Sequence, residues 1–231
     1  MTDSPEGAII QRDGKTYAVV TRTTAGVVTP EYLERVASIA RKYAVPMLKI
    51  TSGQSIALIG IPEETLPSIF RDLGKDADRT SGPCLHYVQA CLGTETCRFG
   101  NQDAIGIARD IDAAFRDGIY PAKLKIGVSG CPRCCGESRM RDIGIMGTSR
   151  GWTVIFGGNS GIRPRIGDVI ARNLSGSEVI DLVRRLLEYY RGHAKPKERT
   201  ARFMDRVGTE TLKTDLLRFI PYIDLEDVKM Q

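Results

Sequence analysis

The chain has 231 residues, and its 42% hydrophobic and 26% charged residues are an ordinary balance for a globular protein with a sizeable core. No apolar run approaches the roughly 18 residues that a membrane-spanning helix needs, and the polar, acidic N-terminus is unlike a signal peptide, so we expect a cytoplasmic protein with no membrane partner. The net charge of +5 is uneven, because residues 119–172 carry nine Lys or Arg against three acids.

The first part of the chain predicts a small α+β domain. Segments 7–13 and 15–21 are apolar around Asp13-Gly14, which predicts a hairpin. Thr29-Pro30 then provides the N-cap and first residue of a helix with one apolar face. Strands at 47–51 and 55–61 and a helix from Pro62 follow. This order predicts helices on one face of an antiparallel sheet.

Residues 74–83 are small and polar and form the clearest boundary. Beyond them we predict a helix, three strands, a tight glycine loop and three further helices, at 101–117, 123–128, 142–146, 152–156, 157–161, 175–190, 196–206 and 209–219. We therefore predict domains at 1–75 and 76–195 and a helical C-terminal extension at 196–231.

All six cysteines lie in two groups, Cys84, Cys91 and Cys97 and then Cys131, Cys134 and Cys135. Clustered cysteines in a reducing compartment are typical of metal ligands. The Cys131/Cys135 spacing would suit zinc, whereas the Cys91/Cys97 spacing is wide for a zinc knuckle and suits a cubane iron–sulfur cluster better. Disulfides and buried apolar thiols are weaker alternatives, and spacing alone leaves all four open.

The basic segment has two interpretations. A site for a strongly anionic ligand would need these cations, but a solvated basic face would have the same composition. No nucleic-acid-binding motif accompanies the charge, so we expect no nucleic-acid partner.

Several motifs together resemble the sulfite and nitrite reductase family, whose members carry sirohaem coupled to a [4Fe–4S] cluster. Cys91-x5-Cys97 is followed by Gly130-Cys131-Pro132-x-x-Cys135-Gly136, and further similarities lie in the segments at 51–54, 142–147 and 157–159. The resemblance covers roughly residues 17–190. It implies an α+β fold class, with a ferredoxin-like small domain followed by an α+β sirohaem and iron–sulfur domain.

The resemblance also implies cofactor ligands. Cys91, Cys97, Cys131 and Cys135 would hold the [4Fe–4S] cluster, and Cys135 would also ligate the sirohaem iron. The residues expected to contact sirohaem are Thr51, Gln54, Arg133, Gly158 and Asn159. Sirohaem is an octacarboxylate, so its burial would account for the basic segment.

For the anionic substrate, the resemblance assigns Arg22, Lys123 and Lys125 to the pocket. Alternation along a strand would put both lysines on one face. The family's second arginine is absent before Cys91, and His86 occupies the nearest position, where it could bind an anion or transfer a proton. Gly53 and Leu92 also depart from the family pattern, and Cys84 and Cys134 have no implied role.

The resemblance implies an oxidoreductase that catalyses the six-electron reduction of sulfite to sulfide, or of nitrite to ammonia. Only one of the two units found in full-length enzymes is present, as in small single-unit sulfite reductases, and a second protomer could replace the other. No ferredoxin-type cysteine run or nucleotide fingerprint occurs, so a ferredoxin or reductase subunit would donate electrons. The alternatives are a non-catalytic electron carrier and a relative from tetrapyrrole or corrinoid synthesis.

Overall fold

The computed structural model describes residues 5, 7–78 and 82–217. The chain divides into two compact units, with the division between residues 81 and 82. The ranges expected from the sequence, 1–75, 76–195 and 196–231, stay a prediction.

Unit 1 is an antiparallel sheet with two helices. Its elements are β1 (Ala8–Ile10), β2 (Thr16–Val20), α1 (Pro30–Lys42), β3 (Met47–Ile50), β4 (Ile56–Pro62) and α2 (Leu66–Leu73). The strand order is β1-β2-β4-β3, and every neighbouring pair is antiparallel. The predicted hairpin and antiparallel sheet are therefore confirmed.

The core of unit 1 follows from apolar periodicity. Thr29 caps α1 by accepting a hydrogen bond from the Tyr32 N–H at 3.2 Å, which fixes the start of the helix. One face of each helix packs on alternate residues of the sheet, and the buried cluster includes Val36, Ile39, Leu66, Ile69, Val19 and Leu58. By contrast, all four residues of β3 are exposed.

Unit 2 is a mixed sheet with helices. Its elements are β5 (Leu85–Ala90), α3 (Ala104–Phe115), β6 (Leu124–Ser129), β7 (Ile143–Thr148), β8 (Gly151–Phe156), β9 (Asp168–Leu174), α4 (Gly176–His193), α5 (Thr200–Val207) and α6 (Thr209–Leu217). The strands are ordered β5-β6-β7-β8-β9; the first three are parallel, and β8 and β9 are antiparallel to their neighbours.

Two strands of unit 2 were not predicted. β5 contains His86, Tyr87 and Gln89, and β9 contains Asn173 at φ +57°, so neither has the apolar alternation of an ordinary strand. The predicted helix at 101–117 begins only at Ala104, because the Asp103 side chain accepts the Gly106 N–H and caps it there. The end of the predicted 209–219 helix lies outside the described residues.

α4 has its expected cap and α3 its expected apolar face, whereas the helix predicted at 196–206 is α5 and begins only at Thr200. α4 opens with the capping box of Ser175 and Glu178, and the expected apolar face of α3 is buried. Among the described residues, no helix combines the length and apolarity needed to cross a bilayer.

Candidate functional site

Two neighbouring parallel strands deliver the cysteines to one edge of the sheet. β5 ends immediately before Cys91, and β6 ends immediately before Gly130-Cys131. The Cys91 N–H donates to the Val128 carbonyl at 3.0 Å, and the Gly130 N–H donates to Cys91 Sγ at 3.1 Å. The two cysteine groups, forty residues apart in sequence, are thus joined through backbone hydrogen bonds.

A glycine allows this close approach. A Cβ atom on Gly130 would lie 2.6 Å from the Gly93 Cα and 2.8 Å from the Gln102 carbonyl, closer than packed atoms come. The Gly130 carbonyl also accepts the N–H groups of Asn101 and Gln102 at 2.8 and 3.0 Å. The turn that carries Cys91 and Cys97 therefore packs directly on the backbone before Cys131.

The other cysteines are held by short turns. The Cys97 N–H donates to the Gly93 carbonyl at 3.0 Å. On the second turn, the Gly136 N–H donates to the buried Ser129 Oγ at 3.0 Å, which fixes the residue after Cys135. Cys131 is buried, whereas Cys135 is exposed. Backbone contacts therefore position these cysteines, and their thiols differ in access to a ligand.

These residues fit an iron–sulfur cluster on the chemistry of the donor set. Four cysteines come from turns packed on each other, and one sulfur already accepts a backbone N–H, a contact that tunes cluster potentials. Among the described residues, no three His, Cys, Asp or Glu side chains are grouped as for a single metal ion. The fit therefore rests on the backbone arrangement rather than on a preassembled group of thiols.

Cys134 has contacts of a different kind. It adopts φ +61°, and its Sγ lies 3.4 Å from the Ser138 Oγ and 3.4 Å from the Arg139 N–H. Its thiol is therefore engaged inside its own turn.

A cationic pocket of about 240 Å³ lies in the same unit. Four of the predicted site residues line it, namely Lys123, Lys125, Gly158 and Asn159. Arg141 and Arg199 add two further cations, and Asp142 is the one carboxylate among the lining residues. Such a pocket favours an anionic ligand.

The two lysines reach the pocket through strand alternation. Leu124 and Ile126 are fully buried, so Lys123 and Lys125 point away from the core. Lys125 Nζ lies 5.5 Å from the centre of the Tyr87 ring. Burial lowers the pKa of Lys125, the nearby cations lower it further, and Asp142 opposes the shift.

Arg141 connects this pocket to the cysteine turn. Its side chain is only 6% exposed, and its Nε donates to Gln89 Oε1 at 3.1 Å while Gln89 Nε2 donates to the Gly136 carbonyl at 3.1 Å. A second link is the ion pair between Arg141 and Glu137, two residues after Cys135. The pocket and the Cys135 turn therefore share one hydrogen-bonded network.

The glycine loop at 157–161 closes another side of the pocket. A Cβ atom on Gly158 would lie 2.5 Å from the Arg141 carbonyl, which confirms the expected close backbone approach. Asn159 stabilises its own loop, since Nδ2 donates to the Arg163 carbonyl at 2.7 Å and Oδ1 accepts the Gly161 N–H at 3.1 Å.

Two other predicted residues of unit 2 do not line the pocket. His86 lies on β5 with Nε2 at 3.0 Å from the Gly82 carbonyl. The Arg133 guanidinium carbon lies 4.0 Å from the centre of the Phe99 ring. Their assigned roles stay predictions.

Arg22, Thr51 and Gln54 belong to unit 1, where they gather at one edge of the sheet. Arg22 follows β2 and Thr51 follows β3, and these strands point the same way because both are antiparallel to β4. The Gln54 carbonyl accepts the Thr23 hydroxyl at 2.5 Å, and Thr51 Oγ1 accepts the Ser55 N–H at 3.2 Å. The three predicted residues of this unit therefore lie at the same end of the sheet.

Sequence reasoning missed the side chains that complete the pocket. Arg141 was counted in the basic segment without a role, and Gln89 had no signal because β5 itself was not predicted. Arg199 lies beyond both the basic segment and the range of the resemblance, and nothing in its local sequence indicates a ligand.

Comparisons with known proteins match both units. The nitrite and sulphite reductase 4Fe-4S domain matches residues 81–218, and the nitrite/sulfite reductase ferredoxin-like half domain matches residues 9–76. An assimilatory-type sulfite reductase of Nitratidesulfovibrio vulgaris is 48% identical over 94% of this chain and all of its own length. The NAD(P)H nitrite reductase of Bacillus subtilis is 38% identical over 90% of this chain, which spans 26% of that protein.

The fold also matches a solved structure. The crystal structure of dissimilatory sulfite reductase I aligns with a TM-score of 0.80 and 16% identity, over 93% of this chain and 75% of that one. Together with the two matched domains, this confirms the predicted α+β fold class with its ferredoxin-like domain followed by the iron–sulfur domain.

Proposed function

The chain belongs to the nitrite and sulfite reductase family of oxidoreductases, and we propose that it catalyses the six-electron reduction of sulfite to sulfide, with nitrite reduction to ammonia as its second activity. The family's cofactors are a [4Fe–4S] cluster and sirohaem. When bound, the cluster would supply electrons one at a time, and the sirohaem would provide the iron centre at which the anion is reduced. Residues of the chain must bind the cofactors, hold the anion and donate protons.

We assign the cluster to Cys91, Cys97, Cys131 and Cys135, with Cys135 shared between the cluster and the sirohaem iron. The packed cysteine turns support this assignment, because hydrogen bonds within and between the turns position the four cysteines. The greater exposure of Cys135 suits a sulfur that must also contact a second group. Thr51, Gln54, Arg133, Gly158 and Asn159 are our candidates for contacts to the macrocycle.

The substrate anion would occupy the cationic pocket. Lys123 and Lys125 bind it and donate protons, and the lowered pKa of Lys125 makes its ammonium group a better proton donor than an ordinary lysine. Arg22 and His86 stay in the proposal as an anion-binding cation and a proton-transfer group. Both still need a functional test.

One observation carries this proposal. The Arg141 guanidinium lines the pocket and bonds to Gln89, which bonds in turn to the backbone beside Cys135. An anion site thereby shares a rigid network with the cysteine assigned to both cofactors. Reduction of an oxyanion needs this combination of an anion pocket beside an electron-delivering sulfur.

The electron donor would be a separate protein, such as a ferredoxin or a reductase subunit. A homologous ferredoxin–nitrite reductase in Synechococcus elongatus is named for such a donor. In the NAD(P)H nitrite reductases, a region like this chain is only about a quarter of the protein. A cytoplasmic location and assembly with a second copy are also part of the proposal.

The test is anaerobic purification followed by assays of iron, acid-labile sulfide, extracted tetrapyrrole and sulfite-dependent oxidation of reduced methyl viologen. Cys135→Ser should lose the coupling between the two cofactors and most of the activity. Cys134→Ser is the matched control one residue away, since its thiol contacts Ser138 and Arg139 of its own turn, and it should keep both cofactors.

The outcomes separate the alternatives. Iron and sulfide without sulfite or nitrite reduction would identify an electron carrier. Absence of both iron and acid-labile sulfide from the purified protein would refute the cluster assignment. Unchanged absorption spectra in Cys135→Ser would refute the shared thiolate.

A further inference from the structure

The family pattern assigns no role to two cations of the pocket, Arg141 and Arg199, and Arg199 is the more exposed of the two. We propose that Arg199 binds an anionic oxygen group in the pocket, from the substrate oxyanion or from a cofactor carboxylate, and that Asp142 positions it. The inference rests on the proposed function for the identity of these anions, but not for the existence of the site.

Arg199 is held by a bidentate ion pair. Its Nη2 atom donates to both oxygens of Asp142, at 2.9 and 2.7 Å, and its Nε lies 3.3 Å from Oδ1. The Asp142 side chain is 1% exposed, whereas the Arg199 side chain is 30% exposed and lines the pocket. This geometry fixes one edge of the guanidinium and leaves part of the group accessible.

Asp142 has no capacity left for other partners in the pocket. Its Oδ1 accepts the Thr200 hydroxyl at 2.6 Å, and its Oδ2 accepts the Lys125 N–H at 2.9 Å. One buried carboxylate therefore joins the start of α5 to the strand that carries Lys125. Within the part of the chain that the structure describes, no acceptor reaches Arg199 Nη1, so this nitrogen is available to an anion.

The ion pair does not neutralise the pocket. Four cationic side chains line it, Lys123, Lys125, Arg141 and Arg199. Among the described residues the carboxylates paired with them are Asp142 in the lining and Glu137 outside it, so the cations still outnumber the carboxylates by four to two. The pKa of Lys125 is lowered partly by Arg199 and Arg141, which means that the cations repel one another. A bound anion would relieve this repulsion, and the planar guanidinium suits an anionic oxygen group.

The test uses the cofactor-loaded protein and does not depend on turnover. Asp142→Asn/Arg199→Gln removes both charges together, so that no buried carboxylate is left unpaired. Arg202→Gln, an exposed residue of the same helix outside the pocket, is the matched control. Two quantities are measured: the sulfite dissociation constant from the change in visible absorption, and the tetrapyrrole retained after gel filtration.

If Arg199 contacts the substrate, the double variant should bind sulfite about tenfold more weakly or worse, the loss expected for one charge-assisted hydrogen bond, at full cofactor content. If Arg199 contacts a cofactor carboxylate, retention falls and the sulfite affinity of the loaded fraction is unchanged. Either result supports the proposal. It is overturned if the double variant equals Arg202→Gln in both measurements.

The positioning role of Asp142 has its own test. Asp142→Asn makes the pocket more positive but releases Arg199. If Asp142 positions Arg199, this variant should bind the anion more weakly. Tighter binding would mean that Asp142 acts only as a counter-charge. Arg199→Lys keeps the charge and one contact to Asp142, and it should fall between wild type and the double variant. Because it preserves the ion pair, it tests the proposal even if the other variants fold poorly. A protein that reduces neither anion but shows these binding effects would refute the proposed function alone.

Discussion

Unit 1 and the cysteine edge of unit 2 are packed in different ways. Unit 1 buries apolar side chains between two helices and a sheet, with residues such as Val19, Leu58 and Ile69 fully inaccessible. The cysteine edge of unit 2 instead packs backbone against backbone and buries charges in pairs, as at Gly130 and Asp142.

This difference shows where specificity resides. An apolar core tolerates exchanges that conserve volume, because side chains can repack. Backbone contacts and buried ion pairs have no such freedom, since a single methyl group or a missing partner leaves a clash or an unpaired charge. The residues proposed to act on the ligand all lie among contacts of the second kind or at strand ends.

Leu58→Ala should have the largest effect on stability. Leu58 is 0% exposed on the central strand β4, so its truncation should cost about 4 kcal/mol of unfolding free energy. Urea denaturation followed by circular dichroism measures this loss. The control Ile50→Ala lies on β3, where Ile50 is 77% exposed, and should cost about 0.5 kcal/mol or less.

The same experiment tests whether the two units unfold separately. Trp152 is the only tryptophan of the chain and lies in unit 2, so its fluorescence reports that unit alone. If Leu58→Ala shifts the fluorescence midpoint as much as the circular dichroism midpoint, the two units unfold as one. Their stabilities could then not be compared separately.

Gly144→Ala should have the next largest effect, about 3 kcal/mol, and should act on the cysteine turn. An added Cβ would lie 1.7 Å from the Ser138 carbonyl, a backbone atom that no rotamer change can move. Displacement of the 138–140 turn would disturb the preceding Cys135, so we expect loss of bound iron, measured per chain by metal analysis.

The matched control is Gly192→Ala near the end of α4. Among the described residues, no atom beyond its chain neighbours and the backbone of its own helix lies within 4 Å of the added Cβ, so this change should stabilise the protein by up to about 1 kcal/mol with unchanged iron content. If Gly144→Ala retained iron like the control, the tight backbone contact would not be what holds the cysteine turn.

Sequence patterns could predict unit 1 because its packing is periodic. The apolar face of α1, its Thr29 cap and the Asp13-Gly14 hairpin are local signals, and each appears in the structure. β5 was missed because it includes polar residues and its burial does not alternate along the strand, since residues 88–90 are buried in succession beside β6. Local patterns contain no information about such neighbours.

For the same reason, only some residues of the candidate site could be predicted from the sequence. The cysteines could be found because their spacing is a local feature, and Lys123 and Lys125 because a motif assigns them. Gln89, Arg141 and Arg199 join the site through contacts across 52 and 57 residues of sequence, which no local pattern encodes.

The smallest expected effect is on the pH dependence of anion binding, and it concerns Lys125. Its pKa is lowered by burial and then by Lys123, Arg199 and Arg141, against the opposing charge of Asp142. Only the protonated amine attracts the anion, so sulfite affinity should fall as the pH rises through this lowered pKa, below the range of an ordinary lysine. The change across the transition should be about tenfold, or about 1.4 kcal/mol.

Lys125→Arg keeps its charge over this range and should move the fall in affinity to higher pH, whereas Lys195→Arg, an exposed lysine outside the pocket, should not. The measurement is the sulfite dissociation constant of the wild type and the two variants, followed by visible absorption from neutral to alkaline pH. The protonation of sulfite itself affects all three proteins equally and therefore cancels in the comparison. If Lys125→Arg left the pH profile of sulfite affinity unchanged, the buried charges of unit 2 would not control anion binding. The comparison with the apolar unit 1 would then concern stability alone.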